Sequence, residues 1–205
     1  MSVLSTAYSS IPTVLALGGT AFLIWATARA LRPRSPGESF AWIVLAGIAY
    51  SVLGLAVAVR SPASDGLRAS AVQLLAVLLA AVLGGLGSSR EEAEGTGGGL
   101  GRSAVILAWL SLIGLPPTVG FHSKVLIYRA LLGAQWGWLA AVAMAASAVA
   151  LAPAFLALSS YRPSRLRGLR ALVVVVLLLV IVMLGLYPQG GLAAVTPLTS
   201  LVKGS

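Results

Sequence analysis

Lys124, His122 and Tyr128 fall close together in one stretch, Ser111 to Tyr128, which reads SLIGLPPTVGFHSKVLIY. The histidine is the only one in the chain, and Lys124 is one of two lysines. An amine, an imidazole and a phenol can each hold or give up a proton, so the chemistry on offer is proton transfer. Other chemistries are poorly supplied. The chain has no cysteine, which removes disulfides, thiolate chemistry and cysteine-ligated iron–sulfur clusters. Its acids, Glu38, Asp65, Glu91, Glu92 and Glu94, sit between apolar runs, so neither a catalytic triad nor a metal site can be assembled. Metal and cofactor sites are therefore expected to be absent from this chain.

The element that carries these groups is an apolar run at 103–132, about 30 residues, or roughly 45 Å as one helix against a hydrocarbon core of about 30 Å. Pro116 and Pro117 remove two backbone donors within it, and Gly114 and Gly120 loosen the backbone on either side. The spacing predicts a discontinuous helix, 103–114 and about 121–132, with an irregular linker at mid-membrane. Carbonyls freed at that depth are tolerated only against protein or water.

Lys124 lies about eight residues, roughly 12 Å, from the outer end of the run. Facing lipid there costs an ammonium at least about 2–3 kcal/mol, so the amine is expected to face the bundle interior or water. Two readings stand for it: a proton relay, or a lysine that snorkels to the interface. His122 is two residues away and on a regular helix points elsewhere; it is a second relay candidate, with packing or a carbonyl hydrogen bond as the alternative. Tyr128, at i+4 from Lys124, either shares its face or anchors at the interface.

The surrounding composition is that of a membrane protein: 59% of residues are hydrophobic, 9% charged, and mean hydropathy is +0.98. Six apolar runs, about 11–31, 39–59, 69–87, 103–132, 137–158 and 170–187, predict an all-α integral membrane fold of six spans in a single domain, 1–205. The Gly-rich, acidic stretch at 88–102 reads as a flexible cytoplasmic loop. The opening MSVLSTAYSSIP lacks the basic segment of a secretory signal, so the first run is expected to remain as a span. The net charge of +9 comes from basic residues clustered between the runs, as expected of topology signals; nucleic acid is not an expected partner. Counting them by side puts nine (Arg29, Arg32, Arg34, Arg90, Arg102, Arg162, Arg165, Arg167, Arg170) against four (Arg60, Arg68, Arg129, Lys203). The odd loops therefore belong in the cytoplasm and both termini outside.

The segment LSLIGLPPTVGFHSK, Leu110 to Lys124, resembles the motif SLAGIPPxxGFxGK of the antiporter-like membrane subunits of respiratory complex I, most closely subunit N, or subunit 2. Serine, leucine, glycine, both prolines, the Gly-Phe pair and the lysine fall in register. GWLAAVAMAASAVALAPAFLAL is similar to the helix that ends in the family's Tyr-rich segment, and Val175 to Leu192 follows similar spacing. More weakly, SFAWIVLAGIAYSVLGLA looks like the family's RMLAYSSIAHMGYLLLGL.

The resemblance implies one antiporter-like repeat of five helices plus a C-terminal helix, the last six helices of such a subunit. It makes Lys124 the counterpart of the lysine on the second broken helix, near the proton exit, with Ser123 at the motif's last glycine, the second of its GFxGK part. It further implies partners, namely other antiporter-like and membrane subunits together with lipid, and places iron–sulfur clusters, flavin and quinone in partner subunits. A prokaryotic plasma membrane is the expected location. The departures are specific: a first repeat has no counterpart here, the family's Lys-Arg pair falls at Gly37-Glu38, its histidine at Gly47, and Pro153 stands in the Tyr-rich segment. Three functions stay open: a proton-outlet subunit of a complex I-like NADH:quinone oxidoreductase or related translocase, a purely structural subunit of such a complex, and a dimeric cation or proton transporter.

Overall fold

The computed structural model describes residues 2–33, 35–61, 65–88, 99–159 and 166–187, the side chains of 2–9 excepted. Among the described residues every regular element is helical: α1 Ser2–Ala30, α2 Pro36–Arg60, α3 Gly66–Gly87, α4 Gly99–Ile113, α5 Val119–Gly133, α6 Gly137–Val149, α7 Leu151–Ser159 and α8 Gly168–Leu186. Five stretches are long and apolar enough to cross a bilayer: Ser10–Ala30, Pro36–Arg60, Gly66–Gly87, Gly137–Ser159 and Gly168–Leu186. Their outer surface carries large apolar side chains such as Leu172, Leu179 and Met183 of α8 and Phe155 of α7. The chain is an integral membrane protein, with lipid or membrane partners covering that surface.

Local chemistry sets the helix ends. α2 starts on Ser35, whose hydroxyl accepts from the Glu38 amide at 3.2 Å, with Pro36 in the first turn, where its missing donor costs nothing. The expected run at 103–132 is two helices of 15 residues each, α4 and α5. Each is about 22 Å long, too short to cross a bilayer alone. α4 ends at Ile113 and α5 resumes at Val119, so the break is shorter and begins earlier than the spacing predicts. α4 also reaches back to Gly99, so 99–102 is helical, while 89–98 of the expected loop lie outside the described residues. The run at 137–158 is interrupted as well, at Ala150, and Pro153 sits in the first turn of α7, where it needs no donor. The segments carrying Arg34, Arg90, Arg162, Arg165 and Lys203, and the resemblance beyond Tyr187, lie outside the described residues.

Packing is by small residues. α2 and α3 approach until a Cβ on Gly66 would lie 2.7 Å from the Ala58 amide nitrogen, and beside this crossing Ser70 Oγ donates to the Ser51 carbonyl at 2.7 Å. One apolar core joins α2, α3, α4, α7 and α8 around Trp109, whose ring meets Phe40 edge-on at 5.4 Å. A second joins α1, α2, α5 and α6 around Leu23, Leu53, Ile127 and Leu139. Arg–Trp pairs mark the two ends of α2. At one, the Arg29 guanidinium lies 5.2 Å from the Trp42 ring centre and 3.9 Å from Glu38; at the other, Arg60 lies 4.7 Å from the Trp136 ring centre.

The tightest approach holds α4 against α5, where a Cβ on Gly120 would overlap the Ser111 carbonyl. Gly120→Ala must push the two half-helices apart and is expected to cost at least about 3 kcal/mol. Gly85→Ala, on an exposed face with nothing within 4 Å, is expected to be neutral or stabilising by up to about 1 kcal/mol. Thermal unfolding of the two variants in mild detergent, compared with the unchanged chain, checks both.

Candidate functional site

The break between α4 and α5 builds the site. In an unbroken helix the Ile113 carbonyl would accept from the amide of residue 117, but that residue is proline and has no N–H. The chain turns at Gly114, whose φ is +85°, in the left-handed region that glycine adopts freely. A side chain at Gly114 would also collide with the lysine stem, since its Cβ would lie 2.7 Å from Lys124 Cδ. Proline thus frees an acceptor, and glycine clears the path to it.

Lys124 fills that path. The residue is 4% exposed, and its Nζ donates to the Ile113 carbonyl at 2.7 Å and to Ser147 Oγ at 2.9 Å. The same nitrogen stands 4.5 Å from the centre of the Tyr50 ring. Two hydrogen bonds and an aromatic face therefore meet the three N–H directions of an ammonium. The two ion pairs found among the described residues, Arg29–Glu38 and Arg68–Asp65, do not include Lys124. The amine points inward, as the penalty for facing lipid requires.

Hydroxyls extend the cluster. The Tyr50 hydroxyl donates to the Ala143 carbonyl and lies 2.6 Å from Ser147 Oγ, while the Tyr128 hydroxyl lies 3.0 Å from the same oxygen. Tyr128 is thus joined to Lys124 through Ser147. A neighbouring set centres on Gln73 of α3. Its Nε2 donates to the Gly47 carbonyl at 3.3 Å, and its Oε1 lies 2.6 Å from Ser123 Oγ, which also lies 2.9 Å from the Gly120 carbonyl. Both of these oxygens are acceptors, so they share the single Ser123 hydrogen.

The structure brings Lys124 and Tyr128 together beside Gly114, with Gly120 packed on Ser111, Pro116 and Pro117 exposed on the linker, and Ser123 on the adjacent Gln73 set. His122 makes none of the cluster's hydrogen bonds; its Nε2 is buried without a hydrogen-bond partner. Ser111 Oγ, on the other side of the break, is likewise buried and unpartnered. Sequence reasoning missed Tyr50, Ser147 and Gln73. Each is a polar side chain inside an apolar run, the same signal that singled out Lys124, but weaker because hydroxyl and amide groups cost less than a charge in a bilayer.

The arrangement can hold a proton on a buried amine and connect it to two phenols through one serine. Among the described residues no group of three or more His, Cys, Asp or Glu side chains is placed to hold a metal.

No protein-family model matches the chain, and no curated protein matches it. Solved structures do match. A chain of the Mrp complex from Dietzia sp. DQ12-45-1b superposes with a TM-score of 0.75 at 20% identity, over 94% of this chain and 49% of that one. A chain of respiratory complex I from Thermus thermophilus with bound Aureothin gives 0.68 at 24% identity, over 89% and 45%. A chain of the membrane-bound sulfane sulfur reductase, an archaeal respiratory membrane complex, gives 0.69 at 21%, over 94% and 42%. The present chain therefore spans about half the length of each, or slightly less, and what it shares with these membrane-complex chains is the fold.

Proposed function

We propose that this chain is a membrane subunit of a complex I-like proton-translocating assembly and contributes a truncated antiporter-like half-channel. In it, Lys124 relays protons at the exit side. α4 and α5 together form one interrupted span, the fourth of six. The observation that carries the reading is the fully enclosed Lys124 amine, held by the carbonyl that Pro117 leaves without a donor. The motif resemblance at 111–124 and the shared fold with chains of three membrane complexes support it. Electron transfer then belongs to partner subunits, which would carry the flavin, iron–sulfur clusters and quinone site. Among them the NADH:quinone oxidoreductase type is the one the motif favours.

A purely structural subunit is the second reading, favoured by one observation: the described carboxylates Glu38 and Asp65 flank the starts of α2 and α3, away from the Lys124 amine. Lys124→Met, which keeps the stem and removes the charge, separates the two. Proton translocation in membrane vesicles is expected to fall at least about tenfold, while native gels show the assembly intact. Unchanged translocation in an intact assembly would make the chain structural. Purification in mild detergent is expected to bring antiporter-like and iron–sulfur subunits with it; a stable homodimer alone would overturn the assembly and favour an autonomous transporter.

The proposed orientation is checked by labelling, because the chain has no cysteine of its own. A single Ser88→Cys is expected to react with an impermeant thiol reagent only from the cytoplasmic side, and Ser61→Cys only from the outside. The reverse pattern would invert the charge-based topology.

A further inference from the structure

We propose that Ser147 Oγ is the transfer point through which a proton passes between Lys124 and Tyr128, a role that rests on the Lys124 reading and deepens it. A serine hydroxyl has one hydrogen and two lone pairs, and Ser147 has three partners that use all of them. Lys124 Nζ donates to it at 2.9 Å. Tyr50 gives its only hydrogen to the Ala143 carbonyl, so its oxygen accepts the Ser147 hydrogen across 2.6 Å. The remaining Ser147 lone pair accepts from Tyr128 across 3.0 Å. These three contacts use the whole hydrogen-bonding capacity of the Ser147 hydroxyl.

A route out through Tyr50 is closed. That tyrosine is 2% exposed, and its hydrogen ends on a backbone carbonyl, which passes nothing on. Tyr128 differs on both counts. It is partly buried, as Ser147 is, and its hydroxyl meets the hydroxyls of Ser147 and Tyr50 rather than a backbone carbonyl. Its backbone is also one helical turn nearer the C-terminal end of α5 than that of Lys124. The lysine is thus buried, while the serine and this tyrosine are both partly exposed.

Turning two hydroxyl hydrogens, that of Ser147 toward Tyr128 and that of Tyr128 toward water, aligns the path without moving a heavy atom. An N–H bond of the ammonium then breaks as an O–H bond forms at Ser147 Oγ. The hydrogen Ser147 held passes to the Tyr128 oxygen, and the hydrogen Tyr128 held passes to a water molecule. Lysine is left as the neutral amine, both hydroxyls are regenerated, and the water carries the proton; nothing is oxidised or reduced.

The test uses vesicles containing the whole assembly and follows proton translocation with a pH-sensitive dye. Ser147→Ala and Tyr128→Phe are each expected to slow translocation at least about tenfold without loss of assembly. Ser147→Thr, which returns the hydroxyl to a partly exposed position, is expected to recover most of the rate lost in Ser147→Ala. Full translocation in Ser147→Ala, alongside its loss in Lys124→Met, would overturn the serine relay and leave the Lys124 reading standing; no effect in either variant would end both. Equal losses in Ser147→Thr and Ser147→Ala would also overturn the relay, since the hydroxyl would then not be what matters. Should Ser147→Ala fail to assemble, Tyr128→Phe decides alone: a slowed rate in an intact assembly supports the relay, and an unchanged rate overturns it.

Discussion

The hydrogen bond from Lys124 to the Ile113 carbonyl is the constraint on which the rest of the structure turns. A bare carbonyl and a bare ammonium are each costly in a low-dielectric interior, by several kcal/mol for the charge. Here each relieves the other. Pro117 creates the unmet acceptor, Gly114 removes the side chain that would block access, and the lysine returns across the break from the second half-helix. Helix rupture and buried charge are thus one feature seen from two ends.

That pairing places demands on the neighbouring helices. The two short halves must stay in contact, and Gly120 permits this by letting the first turn of α5 rest on the Ser111 carbonyl. The exposed linker backbone must be kept from lipid. α8 covers it so closely that a Cβ on Gly185 would overlap the Pro117 carbonyl. A helix whose other faces are largely exposed thereby meets the bundle at the point where irregular backbone needs protein around it. α2 and α6 complete the enclosure by supplying Tyr50 and Ser147.

What could be read from sequence followed from what is expensive in a bilayer. Prolines inside an apolar run and a charge far from its ends announce themselves, so the break and the inward lysine were legible. The break's limits were less so: Val119 and Gly120 looked like linker, yet α5 begins at Val119, after a turn that the Thr118 hydroxyl closes by donating to the Leu115 carbonyl at 2.7 Å. Gly99 to Arg102 resembled loop because glycine predominates, although α4 begins there. The interruption at Ala150 was hidden in an alanine-rich apolar run, with no glycine between Gly137 and Pro153 to mark it. Partners across helices were the least visible. The spans are apolar nearly all round, so periodicity does not show which face carrying Tyr50, Gln73 or Ser147 turns inward; packing by small residues decides that.

The Arg–Trp pairs at the two ends of α2 have a mechanical meaning. From Trp42 to Arg60 the helix rises about 27 Å, close to the thickness of a hydrocarbon layer. Amphipathic anchors spaced in this way act as a gauge of bilayer depth, and Tyr50 lies near its midpoint. A membrane thinner than the gauge would be met by tilting the bundle and a thicker one by local thinning of the lipid, so the lysine cluster stays centred between the two water phases.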